Sequence, residues 1–438
     1  MDKKKEKNKS QEEQYMGTSD TSYFRGRLFR TFEPVGHGAF YHEDLEYSLG
    51  EEGKTVTRVP VIVYDCGSRS NAAKERVQVA FPEKAVIPAV FISHLHDDHV
   101  SGLDHLLKRC DVRALFFPYF GIEAGRMLQL LHLAEGGEAQ DFTYGLCGSP
   151  VHTLSVLLGR LEKKITLYFV KAAGDKGEDV WQNEGPVTVK FVNSGEDTQT
   201  KICGGVATNY DCKGENFLWS WSFIPFNWRY DKRLKKIADN LRERGIDADA
   251  KKNFDARELW QDPEKREAIR EAFGIKGSNP NMDSMTLYSG AYIDDRKIKF
   301  CLEGTDAATG EAHHGCLYTG DYTAANQKAR EELMKNYQGR LDTIGTVQLP
   351  HHGANSCFSP EMVDAIDAKY YVATLKSSEI HDKYREALRE HFEQYKEEEK
   401  SIVYVTEPEK EGEAEKAKKV FGSTVMGQER IAPPVAPL

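Results

Sequence analysis

No two cysteines in this chain stand at the C-x-x-C spacing used by zinc ribbons and dithiol redox sites. The eight present, Cys66, Cys110, Cys147, Cys203, Cys212, Cys301, Cys316 and Cys357, are scattered. They read as reduced thiols of a cytoplasmic protein rather than as a disulfide framework. No stretch approaches the ~20 consecutive apolar residues that span a bilayer, so no membrane partner is expected. The opening residues, MDKKKEKNKSQEEQ, carry lysines with no apolar segment behind them, which excludes a secretory-signal pattern there. Positive charge is also short: 59 Lys+Arg against 69 Asp+Glu leave a formal charge of -10. That balance argues against a generally basic nucleic-acid-binding surface. There is no internal repeat, which removes solenoids and propellers. What is present is ordinary globular material, 39% hydrophobic and 11% aromatic in 438 residues, enough for one large domain with additions.

Residues 1–22 are strongly polar and are expected to form a disordered tail. From Phe24 short apolar runs alternate with glycines: RLFRTFEPVGHGAFY, VPVIVYDCG and AVIPAVFISH. VIVYD and AVFIS are continuous rather than alternating, as in strands buried on both faces. Helical spacing follows in SGLDHLLKRC and again between residues 124 and 161, and strand composition returns in KITLYFV and PVTVKFV. Residues 227–280 are dense in charge and predict two surface helices, the second capped by Asp262 with Pro263 at its first position and Gly274 at its end. Its buried stripe would be Ala268, Ile269, Ala272 and Phe273. Strand-like SMTLYSGAYI, RKIKFCLEG, GCLYTGD, TIGTVQLP, KYYVATL and SIVYVTE then alternate with helices near 359–367 and 382–394. The expected organisation is a domain over 23–406 with a helical insertion at about 227–280, and a charged, partly disordered tail over 407–438.

One segment concentrates chemistry. In FISHLHDDHVSGL, His94, His96, Asp98 and His99 follow an apolar strand and precede a helix. On an extended segment His94 and His96 point the same way, and the turn after them faces Asp98 and His99 toward a second position. Imidazole and carboxylate donors suit zinc or another first-row transition metal. H-x-H-x-D-H is thus a geometry for two adjacent ions, about 3.5–4 Å apart, able to hold a hydroxide and clamp a phosphate or carbonyl oxygen. One loop cannot complete two coordination shells. Asp321 after CLYTG, His351 and His352 in VQLPHHGANS, and His381 in SSEIHDKYREAL each follow an apolar strand, where sheet-based sites gather their ligands.

These residues resemble the metallo-β-lactamase fold superfamily, through His94–His99 first of all. Within it the likeness is to the metallo-β-lactamase-like domain of ComEC competence proteins: EPVGHGAFY with Gly36 and Gly38, VYDCGS with Asp65 and Gly67, Thr319–Asp321, HHGANS, and the segment around His381. The resemblance implies an α+β fold, an αββα sandwich, over roughly 30–225 and 280–406. It implies metal ligands His94 and His96 at one ion, Asp98, His99 and His381 at the other, and Asp321 between them. Asp65 would brace the metal loop from behind. His351 or His352 would be the proton donor or substrate-oxygen contact, with His352 favoured. The chain departs from the family pattern at Ala39, at Ala354 and at IHDKY. His132 and His152 lie between the first motif and Asp321 without a supporting motif and read as structural. Asp283 or Ser284 in NPNMDSMTL would approach the first ion.

The expectation is therefore a hydrolase carrying one or two Zn2+ (Mn2+ being the other candidate) and using a metal-bound hydroxide, with Asp98 and a histidine of the 351–352 pair as catalytic groups. The resemblance favours a phosphodiesterase or nuclease, with nucleic acid or a small phosphoester as substrate. Two alternatives stand beside it: hydrolysis of a small phosphate ester, cyclic nucleotide or lactone, and a non-catalytic, metal-stabilised sensing or scaffold module. The aromatic run Trp219–Trp228 reads as a core strand before it reads as a pocket wall.

Overall fold

A computed structural model describes residues 21–48, 56–175, 179–196, 200–203, 206–208, 217–228, 231–246, 255–274, 284–291, 299–302, 313–395, 400–408 and 417–430. Its strands, in chain order, are β1 (Thr21–Phe32), β2 (Gly38–Ser48), β3 (Val56–Ser68), β4 (Val86–Phe91), β5 (Asp111–Pro118), β6 (Ile165–Lys171) and β7 (Val187–Asn193). Then come β8 (Thr200–Cys203), β9 (Val206–Thr208), β10 (Phe217–Phe226), β11 (Thr286–Ala291), β12 (Lys299–Leu302) and β13 (Gly315–Tyr318). The last are β14 (Ile344–Gln348), β15 (Tyr370–Thr374), β16 (Ser401–Val405) and β17 (Lys419–Arg430). Among the described residues they form two sheets, ordered β12-β17-β1-β2-β3-β4-β5-β6-β7 and β16-β15-β14-β13-β11-β10-β8-β9.

The apolar runs explain the layering. In β3, Ile62 and Tyr64 face the second sheet while Val63 faces outward, so VIVYD is apolar throughout because both faces are covered. Between the sheets Ile62, Tyr64, Phe91 and Phe116 meet Trp221, Phe223, Leu287 and Tyr318. On the outer face of the first sheet Val63, Val90, Leu115 and Leu167 pack against Val77, Leu106 and Leu154 of flanking helices. On the outer face of the second, Leu317, Val347 and Tyr371 meet Leu333, Val363 and Leu388. The architecture is the expected αββα sandwich, and Trp221 and Phe223 place the aromatic run in its core. Among the described residues no helix is long and apolar enough to cross a membrane.

The segment expected as a helical insertion contains helices Asp231–Glu243, Ala256–Gln261 and Pro263–Gly274. Ile269 and Ala272 are buried, with Ala268 and Phe273 partly so, in a cluster with Ile237, Leu241 and, from the main domain, Met127, Leu130 and Tyr144. The Asp262 carboxylate accepts from the Glu264 amide at 3.0 Å, as a capping residue does.

Residues 409–416 and 431–438 of the tail expected over 407–438 lie outside the described residues, and between them runs β17. It pairs antiparallel with β1 from Phe32↔Lys419 to Thr21↔Arg430, and on its other side with β12. Charged and proline-rich flanks hid a stretch, KVFGSTVMGQER, rich in β-branched and apolar residues, which pairs with a strand that would otherwise be an open edge. Thr21 and Ser22 likewise belong to β1; the rest of the expected N-terminal tail lies outside the described residues.

Candidate metal centre

The His-rich loop leaves β4 through Ile92 and Ser93, and its turn is opened by the His99 and Val100 amides donating to the His96 carbonyl. The loop lies against the end of β3 so closely that a Cβ on Gly67 would sit 2.4 Å from His99 backbone atoms; only glycine fits. Beside Gly67, Asp65 is buried and holds the loop. Its carboxylate accepts from the Ser93 amide and the Ser93 hydroxyl, both at 2.7 Å, and lies 2.8 Å from His99 Nδ1. With Nδ1–H donated to Asp65, His99 turns its Nε2 toward Asp321. With its proton on Asp65, the Ser93 oxygen accepts from His94 Nδ1 at 3.0 Å, leaving His94 Nε2 bare. Ser284 Oγ lies 3.0 Å from the same His94 Nδ1 and accepts the Asp321 amide. It thus touches a metal-loop histidine from behind rather than entering the donor set. Asp283 lies outside the described residues.

The free atoms converge in two adjacent groups. His94, His99 and Asp321 form one, with His94 Nε2 3.7 Å from Asp321 Oδ2 and His99 Nε2 3.3 Å from Asp321 Oδ1. His37, Asp98 and His352 form the other, with ring nitrogens 3.3 and 3.8 Å from Asp98 Oδ2. His99 Nε2 is 4.0 Å from Asp98 Oδ1, which places the groups side by side. Buried and without a hydrogen-bond partner are His37 Nε2, His94 Nε2, Asp98 Oδ1, His99 Nε2, Asp321 Oδ1 and both ring nitrogens of His352. Such groups are costly unless something binds them. Donors about 2.0–2.2 Å from a tetrahedral ion lie about 3.3–3.6 Å apart, close to the spacings here. All are imidazole or carboxylate, a set that suits zinc or manganese. The residues present therefore fit a metal centre.

Against burial, Asp321 and Asp65 raise His99 well above its ordinary value, and Asp98 and Glu135 raise His96 to about 10, so each carries a proton that a bound cation would displace. Burial alone would raise the Asp98 carboxyl, but facing His96, His352 and His37 hold it well below the usual carboxylate range. Asp321 is held low against burial by His351, His99 and His94. Burial, then His99, depress His94. Burial lowers His352 to about 4 despite Asp98, so it is neutral at pH 7 with the lone pair of one ring nitrogen available. His351 and His352 both adopt left-handed backbone, φ 50 and 56, a conformation costing about 1–3 kcal/mol each in a non-glycine residue. Strain kept at two adjacent histidines marks a place where orientation matters more than stability.

The sequence-based candidates thus divide. His94, Asp98, His99, Asp321 and His352 are brought together, though grouped differently from the expected pairing of His94 with His96 and Asp98 with His99. His96 sits beside them, Nδ1 2.9 Å from Asp98 Oδ1 and Nε2 against Glu135. His351 has its Nε2 3.6 Å from Asp321 Oδ2, so the two histidines face different carboxylates. His381 is not brought in: it is exposed and belongs to neither group among the described residues. In IHDKY, Asp382 accepts from the Tyr384 amide at 2.9 Å and pairs with Arg385 at 2.7 Å, a turn that leaves His381 at the surface. His132 is buried between Asp97 and Asp141, 3.3 and 3.0 Å away, and His152 pairs with Glu184 at the surface. His37, Glu135 and Glu379 were not singled out from sequence; His37 sits between the two glycines that drew attention in VGHG. A cleft of about 990 Å3 opens beside His96 and Asp98, with Arg69 and Lys74 among its lining and Asp97, Asp104, Glu135 and Asp141 also present.

A model of the metallo-beta-lactamase superfamily matches residues 56–115, the segment holding Asp65, Gly67 and the His94–His99 motif. The match is confined to that segment, and the two-sheet architecture is consistent with the superfamily's fold. Among solved structures the chain is similar to MEM-A1, a subclass B3 metallo-beta-lactamase from a soil metagenome library. The identity is 10% over 76% of this chain and 84% of that one, at a TM-score of 0.26. It is also similar to a Cronobacter sakazakii metallo-beta-lactamase with an HARLDQ motif, at 10% identity over 71% and 68%, TM-score 0.21. At such scores neither likeness bears on activity. No curated protein matches the chain.

Proposed function

We propose that the chain is a metal-dependent hydrolase of phosphoesters, with phosphodiesters as the leading substrate class. The observation that carries this reading is the convergence of buried, unpartnered imidazole and carboxylate atoms in two adjacent groups at the strand ends. Divalent first-row cations such as Zn2+ or Mn2+, when bound there, would supply Lewis acidity and bring the pKa of a water near ~7.

The chain's own groups have separable tasks. Asp321, facing His94, His99 and His351, is the carboxylate of the first group. Asp98, kept ionised, is the carboxylate of the second, lies 4.0 Å from His99 of the first and orients the attacking water. His352 is buried and neutral, which suits a lone-pair donor better than a proton carrier. His351 is about one-third exposed, with Nε2 toward Asp321, and is the group placed to pass a proton to a leaving oxygen. Arg69, half-exposed with Nε 3.5 Å from Asp98 Oδ2, and Lys74 give a phosphate two cations to meet in the cleft.

A compact phosphoester is the second reading. Its support is the cleft's four further carboxylates, which oppose a long polyanion. Metal-loaded full-length protein should be assayed on bis(p-nitrophenyl) phosphate, single- and double-stranded DNA, and RNA. Polymer cleavage that disappears in Asp98→Ala supports the nuclease form, and hydrolysis of the small diester alone supports the compact substrate. Stoichiometric metal with no hydrolysis anywhere would overturn the enzyme reading in favour of a sensing or scaffold module.

A further inference from the structure

His37 stands in the link between β1 and β2, and Glu379 in the turn Ser377–Glu379 after β15, 342 residues away. His37 Nδ1 lies 3.0 and 3.3 Å from the two carboxylate oxygens of Glu379. Donating Nδ1–H to that carboxylate fixes the tautomer, so Nε2 carries the lone pair, and this atom is buried, unpartnered and 3.3 Å from Asp98 Oδ2. The Glu379 carboxylate is itself held: the Lys376 amide donates to Oε2 at 3.2 Å and Arg385 Nη2 lies 3.5 Å from the same oxygen. Arg385 also donates from Nε to the His352 carbonyl at 2.9 Å, tying the brace to the strained histidine pair. The His37 and His352 rings lie 4.8 Å apart at a tilt of 50°, both turned toward Asp98 Oδ2. Carboxylate–imidazole pairs of this kind orient ligand histidines, as Asp65 does for His99.

We propose that His37, oriented by Glu379, completes the ion position shared with Asp98 and His352, and that the segment following β15 supplies the orienting carboxylate instead of a ligand histidine. This rests on the metal-centre reading above. Glu379 is a positioning residue; His37 is the donor.

Full-length protein is stripped with chelator, reloaded with Zn2+ and freed of excess, and its zinc is counted by elemental analysis. In parallel, Co2+ is titrated while its visible d–d bands are recorded. The wild type is expected to hold two equivalents. His37→Ala, and His37→Gln as a variant closer in shape, should lose one equivalent and change the Co2+ bands while the metal-free circular dichroism stays that of the wild type. Glu379→Gln should weaken the second Co2+ by about 10–100-fold, and Glu379→Asp should recover part of the loss. His381→Ala should behave as wild type. Wild-type metal content, affinity and bands in both His37 variants, or loss of an equivalent in His381→Ala, would overturn the proposal and leave the hydrolase reading standing. A wild type that takes up no metal would overturn both.

Discussion

Two of the regions in which this protein buries charge treat it in opposite ways. Between the sheets, Glu43 accepts from Arg30 Nε at 2.8 Å, from Tyr318 at 2.9 Å and from Ser289 Oγ at 2.7 Å. Ser289 Oγ accepts in turn from Trp221 Nε1 at 2.8 Å, so the cluster closes on itself. At the strand ends, imidazoles and carboxylates are equally buried, yet the atoms that face one another are left without hydrogen bonds. Burial of polar atoms is tolerated when they pair, so the first region is finished by folding alone. The second is finished only by something from outside.

Substitutions should separate the two. The largest effect is expected from Asp321→Ala: a loss of hydrolysis on the order of 10^3-fold or more with the fold retained, since the carboxylate serves the centre and not the core; kinetics with circular dichroism would check it. Glu43→Ala should do the reverse, costing about 3–5 kcal/mol by stranding Arg30, and denaturant unfolding of the metal-free protein would measure it. If Asp321→Ala unfolds the protein and Glu43→Ala spares it, the contrast is wrong. Asp65→Asn lies between: metal affinity should fall about 10–100-fold, read by chelator competition.

The smallest effect is a pH dependence. Burial would lower His42, but Asp44 and Glu33 raise it to about 9. Because the folded value exceeds the unfolded one near 6.5, the stabilisation is complete below pH 6.5 and lost as pH rises through 9. Between pH 7 and 9 the loss should be about 1–2 kcal/mol. Melting curves should show it in the wild type and show it reduced in His42→Gln. Equal slopes would mean that His42 is not the titrating group.

How far the sequence could be read follows from how local each feature is. His94–His99 is legible because its donors are contiguous, and β3 and β4 because burial on both faces leaves unbroken apolar runs. Asp65 was recognisable as a brace through resemblance. His37 was not, because its role depends on Glu379, distant in the chain, and on a ring orientation that no spacing encodes. The Arg30–Glu43 pair has no local signature, since inward and outward positions of β1 and β2 differ only once the second sheet is in place. His381 lies at the surface for a local reason: Asp382 turns the chain there.

The pairing of β17 with β1 also bears on synthesis. Until residues 419–430 leave the ribosome, β1 presents an unpaired edge beside β2, and β12 has no place to join. The sheet that carries the His-rich loop is thus closed by residues made long after β1, a long-range pairing that is slow and leaves the nascent chain open to association with its neighbours. A chain stopped short of residue 419 would carry every residue of the metal centre and still expose the edge that makes it prone to aggregate.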